Sequence, residues 1–312
     1  MDLQKAKATF RGPMVSVATP FTADFKLDLE TLRRNIRFMI DHGIKNGRGS
    51  LLVAAAGGEF PMLTLEERKK VVQVSVETAQ GEVPVAFSIQ TNWSEEAAEL
   101  ARHGSDVGAD LGQLSAPYYY RSPPQDILRH FRCVVDNSQL PLMIYANWWN
   151  TGDFPLELIG KLAELPNVVV LKWSARSSQV YSDGMQMFAD KLAIVDNDMQ
   201  YLRSFMMGGV GYVTHIGNFW PAYSLSLWDL LESHDYAGLL ERVAVLKRPW
   251  RRWVVKVVQE TEGEGPFIKA ALEAVGLPSG PPRPPASTVS GELRAEMQRL
   301  FAQAGMPQAK DQ

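Results

Sequence analysis

Lys172 is the residue with the clearest chemical potential in this sequence. It ends an apolar run and precedes Trp173, so that residues 168–173 read VVVLKW. Burial disfavours the ammonium form of a lysine, and the neutral amine is the nucleophile that attacks a carbonyl carbon. A lysine at a sheet edge that extends its amine into solvent fits the same residues equally well. The run therefore indicates either an amine nucleophile or a surface lysine.

A tyrosine ends an earlier run of the same kind. Residues 141–145 read PLMIY, which puts Tyr145 one structural unit before Lys172. A phenol can relay protons to and from a carbinolamine or to a leaving hydroxyl. Taken alone, such a tyrosine is more often a core aromatic with a satisfied hydroxyl. The ends of neighbouring strands would bring the two side chains together, and that pairing favours catalysis.

Small residues follow the second predicted strand. Residues 54–60 read AAAGGEF, with Ala56, Gly57 and Gly58 at the centre. Side chains this small let a ligand approach the backbone, and successive N–H groups can hold a carboxylate. A tight turn without a ligand fits two adjacent glycines as well, and both interpretations stay open.

These candidates lie at the ends of elements that repeat along the chain. Short apolar runs alternate with amphipathic segments, which makes eight strand-then-helix units between residues 14 and 232. The strands are apolar and non-alternating, as in a parallel sheet buried on both faces. The pattern predicts an α/β fold: a (β/α)₈ TIM barrel over residues 1–232 and a C-terminal helical extension, 233–312, packed on the barrel.

The extension has its own pattern. Residues 236–259 predict one long helix, and two shorter helices are predicted at 266–275 and 290–304. The proline-rich segment 277–285 predicts an extended tether with little internal freedom.

Composition and charge exclude several classes of protein. The 312 residues include 32 Lys and Arg against 35 Asp and Glu, a net charge of −3, so no nucleic-acid partner is expected. No stretch approaches the ~20 apolar residues of a membrane span, and the N-terminus is polar. We therefore expect no membrane partner and a cytoplasmic location. The single cysteine, Cys133, excludes an intrachain disulfide, and the scattered histidines predict no metal site.

Taken together, the motifs resemble one known family. Over almost its whole length the chain is similar to the dihydrodipicolinate synthase/N-acetylneuraminate lyase superfamily of class I, Schiff-base-forming aldolases and lyases. One marker would be weak evidence, whereas six in the right order and spacing are specific. They are Thr19-Pro20-Phe21, Gly57-Gly58-Glu59, Ala116-Pro117-Tyr118-Tyr119-Tyr120, Tyr145, Lys172 and Gly208-Gly209-Val210-Gly211.

The resemblance implies a lyase in which Lys172 forms an imine with a 2-oxo acid such as pyruvate, with Tyr145 as the proton shuttle. The backbone of Gly57-Gly58 would bind the 2-oxo acid carboxylate, and the Val213 carbonyl would face the site. Because the imine is covalent, no cofactor is implied. The resemblance also implies a homo-oligomer, a tetramer or a dimer, with Tyr119 near a neighbouring subunit's site.

Two positions depart from the members that make dihydrodipicolinate. Those members have a Thr-Thr pair where this chain has Ala56 and Gly57, so the threonine hydroxyl that links two tyrosines in a proton relay is absent. They also have an arginine that grips the carboxylate of the second substrate, and Asn150 stands in its place. Loss of this bidentate clamp argues against dihydrodipicolinate synthesis.

Aromatic and amide side chains lie near the predicted strand ends instead. They are Asn147, Trp148, Trp149, Trp173, Phe219 and Trp220. Tyr145-Ala146-Asn147 is similar to the Tyr-x-Asn of the superfamily's hydratase-aldolases, in which the asparagine would orient the water or hydroxyl that is added or removed. An aromatic pocket without an arginine suits an apolar aldehyde, although several of these tryptophans fit packing or a subunit interface equally well.

The leading hypothesis is a Schiff-base lyase that acts on a 2-oxo acid and an apolar or aromatic aldehyde. Lys172 and Tyr145 would be catalytic. The substrate-binding candidates are Ala56, Gly57, Gly58, Asn147, Trp148, Val213 and Tyr119. One alternative is a 2-keto-3-deoxy sugar acid dehydratase, because Gly58-Glu59-Phe60 is similar to the Gly-Glu-Phe of those enzymes. The other is a non-catalytic barrel that binds a 2-oxo acid.

Overall fold

Eight parallel strands form a closed barrel in the computed structural model, which describes residues 1–152 and 154–312. The strands follow one another around the barrel in chain order. Their bounds are β1 Gly12–Ser16, β2 Ser50–Val53, β3 Val85–Ser88, β4 Leu111–Leu114, β5 Leu142–Asn147, β6 Val168–Ser174, β7 Ala193–Asp196 and β8 Gly211–Thr214. The predicted TIM barrel is confirmed.

Helices alternate with the strands and continue after the last one. In the described part of the chain the α-helices are α1 Leu3–Thr9, α2 Leu29–Asp41, α3 Leu65–Ala79, α4 Ser94–Val107, α5 Pro124–Asn137, α6 Leu156–Ala163, α7 Ser178–Phe188, α8 Tyr201–Met206, α9 Pro221–Glu232, α10 Tyr236–Arg242, α11 Arg248–Glu260, α12 Gly265–Ala274 and α13 Gly291–Ala304. Helix α3 begins at a capping box in which Thr64 and Glu67 each satisfy a backbone N–H of the other.

The chain divides into two compact units, each built from separate stretches of sequence. The first contains residues 1–14, 45–52 and 81–213, and the second contains residues 15–44, 53–80 and 214–312. The first unit carries most strand residues together with α1 and α4 to α8, and the second carries α2, α3 and α9 to α13. The division predicted after residue 232 stays a prediction.

In the first unit, strands β5 and β6 pair in parallel from Leu142 to Asn147. Both strands are buried throughout. Because alternate residues of a strand point to opposite faces, Trp173 lies on the face opposite to that of Lys172. There it meets helix α7, where a Cβ on Gly184 would overlap the indole ring. A glycine at that position lets α7 approach β6.

In the second unit, the long helix predicted at 236–259 is divided into α10, a π-helical turn at Val243–Lys247, and α11. Pro249 lies in the first turn of α11. Proline has no N–H to donate, and its ring clashes with the carbonyl four residues earlier. The widened turn accommodates this residue, and residues 236–260 are helical without a break, so the predicted helix is confirmed with a π-helical turn inside it.

The second unit also has an aromatic core. Phe219 is fully buried, with its ring centre 5.3 Å from that of Trp250 and 5.6 Å from that of Phe301. Trp220 is buried beside Tyr223, with 5.3 Å between ring centres. Phe219 and Trp220 are therefore core residues of this unit, which corrects their assignment to an aromatic pocket wall.

The proline-rich segment 277–285 is bound along its length. The Asn35 amide donates to the Pro278 carbonyl at 2.9 Å, and the Phe21 N–H donates to the Ser279 carbonyl at 3.3 Å. The Lys269 ammonium donates to the Pro281 carbonyl at 2.8 Å. Carbonyls of such a segment need donors from elsewhere, because prolines supply none. The segment is an integral part of the second unit, and the prediction of a tether is wrong.

Candidate active site

Lys172 and Tyr145 lie side by side on neighbouring strands of the first unit. They are register partners of β6 and β5, and both side chains are buried, that of Lys172 to 4% exposure. The Lys172 Nζ lies 4.0 Å from the centre of the Tyr145 ring. The predicted proximity of amine and phenol is confirmed.

A buried glutamine binds the amine. The Lys172 Nζ donates to Gln113 Oε1 at 3.0 Å. Gln113 lies on β4, and its own Nε2 donates to Gln90 Oε1 at 2.6 Å. Sequence reasoning missed both glutamines. The available signal was a long polar side chain inside LGQL, an otherwise apolar run, and a second one two residues after the end of β3.

Asn147 holds the phenol. Its Nδ2 donates to Tyr145 Oη at 2.9 Å. The asparagine is itself fixed, because its N–H donates to Thr151 Oγ1 at 2.9 Å and its Oδ1 accepts the Trp149 N–H at 3.3 Å. A donor on the phenolic oxygen stabilises the phenolate, which is the form that accepts a proton. Asn147 is therefore placed to stabilise a phenolate at Tyr145.

Trp148 and Trp149 follow β5 on an exposed turn. Their side chains are 41% and 47% exposed, and their rings meet edge to face with centres 5.6 Å apart. The N–H groups of Asn150 and Thr151 donate back to the Asn147 carbonyl and close the turn. The exposed side chains of Trp148 and Trp149 thus come directly after Asn147, the residue that binds the Tyr145 phenol.

Trp173 does not belong to this aromatic group. It is buried and stacked on Tyr181 with ring centres 5.0 Å apart. Its register partner on β7 is Asp196. Burial raises the pKa of the Asp196 carboxyl group to about 7. Of the two interpretations left open for Trp173, pocket wall or packing, the structure supports packing, since strand alternation turns it towards α7 when Lys172 faces the other way.

The small-residue loop lies in the second unit. The Gly57 N–H donates to Ser16 Oγ at 3.3 Å, and the Gly58 N–H donates to the Ala55 carbonyl at 3.0 Å. A Cβ on Gly57 would lie 2.6 Å from that serine oxygen, so only glycine fits this close approach. The Gly57 and Gly58 N–H groups, which were expected to bind a carboxylate, both donate to groups of this unit in this structure. Ala56, which precedes Gly57, is half-buried.

A buried ion pair fixes the end of this loop. Glu59 has a left-handed backbone with φ of 55°, and its Oε1 lies 2.6 Å from Lys269 Nζ. Its Oε2 accepts the Arg283 N–H at 3.1 Å. Burial lowers the pKa of Lys269, and the Glu59 carboxylate opposes that shift. Glu59 therefore anchors the loop and is not a free acid.

The remaining candidates lie at the surface or at a strand end. Tyr119 is 88% exposed, and its backbone has a positive φ of 85°. Val213 is half-buried on β8. His215 follows that strand in the second unit and pairs with Glu264 at 2.9 Å.

The described part of the chain contains neither a group of metal ligands nor a helix that could span a membrane. Among residues 1–152 and 154–312, no three His, Cys, Asp or Glu side chains are grouped so that they could hold a metal ion. In that same part of the chain, every helix is too short or too polar to cross a membrane.

Comparison with known proteins gives a consistent result. The sequence model of the Dihydrodipicolinate synthetase family matches residues 9–304. The 4-hydroxy-tetrahydrodipicolinate synthase of Methanothrix thermoacetophila is 30% identical over 297 residues, which cover 94% of this chain and 96% of that protein. The relative of the same name in Clostridium perfringens is 32% identical over 214 residues, which cover 68% of this chain and 72% of that protein.

Solved structures agree. The prophage protein YagE of E. coli K12, solved in complex with pyruvate, superposes with a TM-score of 0.86 at 26% identity and covers 96% of this chain and 100% of its own. The dihydrodipicolinate synthase of Aquifex aeolicus has a TM-score of 0.85 at 25% identity, with coverage of 96% and 99%. The chain belongs to the dihydrodipicolinate synthetase family and, as a member, is a lyase that works through a lysine Schiff base.

Proposed function

We propose that this lyase forms an imine between Lys172 and pyruvate or another 2-oxo acid, and makes or breaks a carbon–carbon bond to an apolar or aromatic aldehyde. One observation carries the proposal. The buried Lys172 amine lies against the Tyr145 ring, and the phenolic oxygen of that ring is bound by Asn147. Nucleophile, proton carrier and positioning amide are thus assembled in one place.

Imine formation uses the first two groups. The lone pair of the Lys172 amine forms a bond to C2 of the 2-oxo acid, and the carbonyl oxygen takes a proton to give a carbinolamine. The Tyr145 phenol can then protonate the hydroxyl, which leaves as water. The product is an iminium that keeps one N–H and draws electrons from C3.

The carbon–carbon step uses the same groups in reverse roles. For cleavage, the Tyr145 phenolate takes the proton of the C4 hydroxyl, the C3–C4 bond breaks, and its electron pair moves into the iminium to form an enamine. The aldehyde leaves, the enamine is protonated at C3, and hydrolysis frees Lys172. Asn147 supports the phenolate through its 2.9 Å hydrogen bond to the phenolic oxygen.

The aldehyde class follows from the turn after β5. Trp148 and Trp149 expose their rings there, and Asn150 stands where dihydrodipicolinate-forming members have an arginine. Indole faces bind aromatic groups, whereas a carboxylate-bearing aldehyde would lose its bidentate partner. An aromatic aldehyde is therefore the expected leaving group.

Trapping with borohydride tests the Schiff base. The protein is incubated with pyruvate, reduced, digested and analysed by mass spectrometry, and we expect a stable adduct on Lys172. Lys172→Ala should abolish adduct and activity, whereas Lys161→Ala, which changes an exposed lysine of α6, should change neither. An unlabelled wild-type Lys172 would overturn the proposed function.

Release of pyruvate separates the candidate reactions. We expect pyruvate release from an aromatic benzylidenepyruvate, to which water first adds across the C3=C4 bond, with the hydroxyl on C4 and the proton on C3. We expect no consumption of pyruvate when a carboxylate-bearing aldehyde is supplied as acceptor. The dehydratase alternative rests on Gly58-Glu59-Phe60. Consumption of a 2-keto-3-deoxy sugar acid without release of pyruvate would establish it instead, because elimination of water leaves the carbon chain intact. Labelling of Lys172 without turnover of any substrate would identify a 2-oxo-acid-binding barrel.

We further propose a homo-oligomer in which Tyr119 faces a neighbouring subunit. Tyr119 and Tyr120 expose adjacent rings whose centres are 4.9 Å apart, an apolar surface of the kind that subunit contacts cover. Light scattering coupled to size exclusion should give a dimer or tetramer, and Tyr119→Asp should shift it towards the monomer. A wild-type monomer would contradict this assembly.

A further inference from the structure

A chain of buried polar side chains ends on the Lys172 amine. Gln113, which accepts from Lys172, donates to Gln90, and Gln90 Nε2 donates to Ser115 Oγ at 2.8 Å. Ser115 donates in turn to the Ala116 carbonyl at 3.0 Å. Gln113, Gln90 and Ser115 are each at least 95% buried, so their polar groups depend on one another for hydrogen bonds.

The chain of hydrogen bonds has one direction. An amide side chain can present either its oxygen or its NH₂ to a neighbour. The NH₂ of Gln113 is engaged by Gln90 Oε1, and that oxygen also accepts from Ser88 Oγ at 3.2 Å. The NH₂ of Gln90 is engaged by Ser115. The end that faces Lys172 is therefore an acceptor.

An uncharged acceptor suits both states of the nitrogen. A neutral amine has two N–H groups and a lone pair, and an acceptor that takes one N–H turns the lone pair towards the substrate. The iminium keeps one N–H and a positive charge, which a fixed carbonyl dipole stabilises. A carboxylate at the same place would favour the ammonium form and remove the nucleophile.

We propose that Gln113 is a positioning residue for the Schiff-base lysine, accepting an N–H of the amine before the reaction and the remaining N–H of the iminium afterwards, with its orientation fixed by Gln90 and Ser115. This role rests on the proposed function. Groups that face Lys172 include Tyr145 on the adjacent β5, the register partner Val195 on the adjacent β7, and Gln113 on β4 beyond β5.

The test is the rate at which pyruvate and borohydride label Lys172 between pH 6 and 10. Gln113→Leu should lower that rate by about tenfold or more, as expected for loss of a hydrogen bond to a charged group. Gln113→Glu, which has nearly the same shape, should move the midpoint of the pH profile upwards by about one unit. Gln90→Leu should slow labelling by a smaller factor, because Gln113 keeps its acceptor but loses its fixed orientation.

A purely structural role would lower the melting temperature without moving the pH midpoint. Gln186→Leu, at an exposed position of α7, is the matched control and should leave the profile unchanged. Wild-type labelling rates in Gln113→Leu, or an unmoved midpoint in Gln113→Glu, would overturn this role while the proposed function stands. Absence of label in the wild type would overturn the proposed function itself.

Discussion

The carboxyl group of Asp196 makes the stability of this protein depend on pH. The residue is 1% exposed at the end of β7. Its Oδ1 accepts the Tyr181 hydroxyl at 3.3 Å and the Asp198 N–H at 3.0 Å. Within the described residues, its Oδ2 has no hydrogen-bond partner. Burial therefore raises the pKa of this group to about 7.

The size of the effect follows from the shift. The unfolded value is 3.8 and the folded value is about 7, so the folded state holds a proton between these pH values that the unfolded state releases. Each pKa unit corresponds to about 1.4 kcal/mol, which gives about 4 kcal/mol in total. Below about pH 4 this group does not change the free energy of unfolding, because both states are protonated. The free energy of unfolding falls as the pH rises from about 4 to 7, and above about pH 7 it is lower by the full value of about 4 kcal/mol.

Asp196→Asn removes the titration and keeps the shape. Urea unfolding followed by circular dichroism should give similar stabilities for variant and wild type at pH 4.5, and a variant that is more stable by a few kcal/mol at pH 8. The control Asp190→Asn changes an exposed carboxylate and should show no such divergence. A wild type and Asp196→Asn protein with parallel pH profiles would refute the reasoning.

Three further changes have defined outcomes. Lys269→Met should reduce the free energy of unfolding in urea by about 3–5 kcal/mol, because it leaves the buried Glu59 charge unpaired, and the double variant with Glu59→Gln should regain part of that loss. Gly57→Ala should displace the loop and reduce the free energy of unfolding in urea by about 1–3 kcal/mol, since its Cβ would lie 2.6 Å from Ser16 Oγ; an unchanged unfolding midpoint would contradict this close approach. Tyr145→Phe should leave imine formation detectable by mass spectrometry but slow by about 10²-fold or more, whereas wild-type rates would assign proton transfer to another group.

The barrel and its central pair could be predicted because their signals are local. Apolar runs of strand length mark the buried sheet, and a lysine or tyrosine at the end of such a run needs no other residue to be noticed. The pairing of Tyr145 with Lys172 then follows from the adjacency of consecutive strands in a barrel.

The other features were not predicted, because they depend on which face of a strand a side chain points to and on contacts between residues that are distant in sequence. Lys172 and Trp173 are neighbours in sequence, yet they point to opposite faces, and the alternation of a strand could have excluded Trp173 from the site. Gln113 is recognisable only once β4, β5 and β6 lie side by side and its amide reaches the lysine. Phe219 and the segment 277–285 are bound by residues far away in the chain, which no local pattern reveals.

The anchor of the small-residue loop has a consequence for synthesis on the ribosome. The Glu59 carboxylate accepts a hydrogen bond from the N–H of Arg283, which lies 224 positions later in the chain. At about 5–20 residues per second, translation separates the two by roughly 10–45 seconds. During that interval the Glu59 carboxylate must stay hydrated, and the loop cannot take its final form. A nascent chain that has completed all eight strands therefore still lacks both partners of Glu59, and this loop should reach its final form only after residues 269–283 have left the exit tunnel.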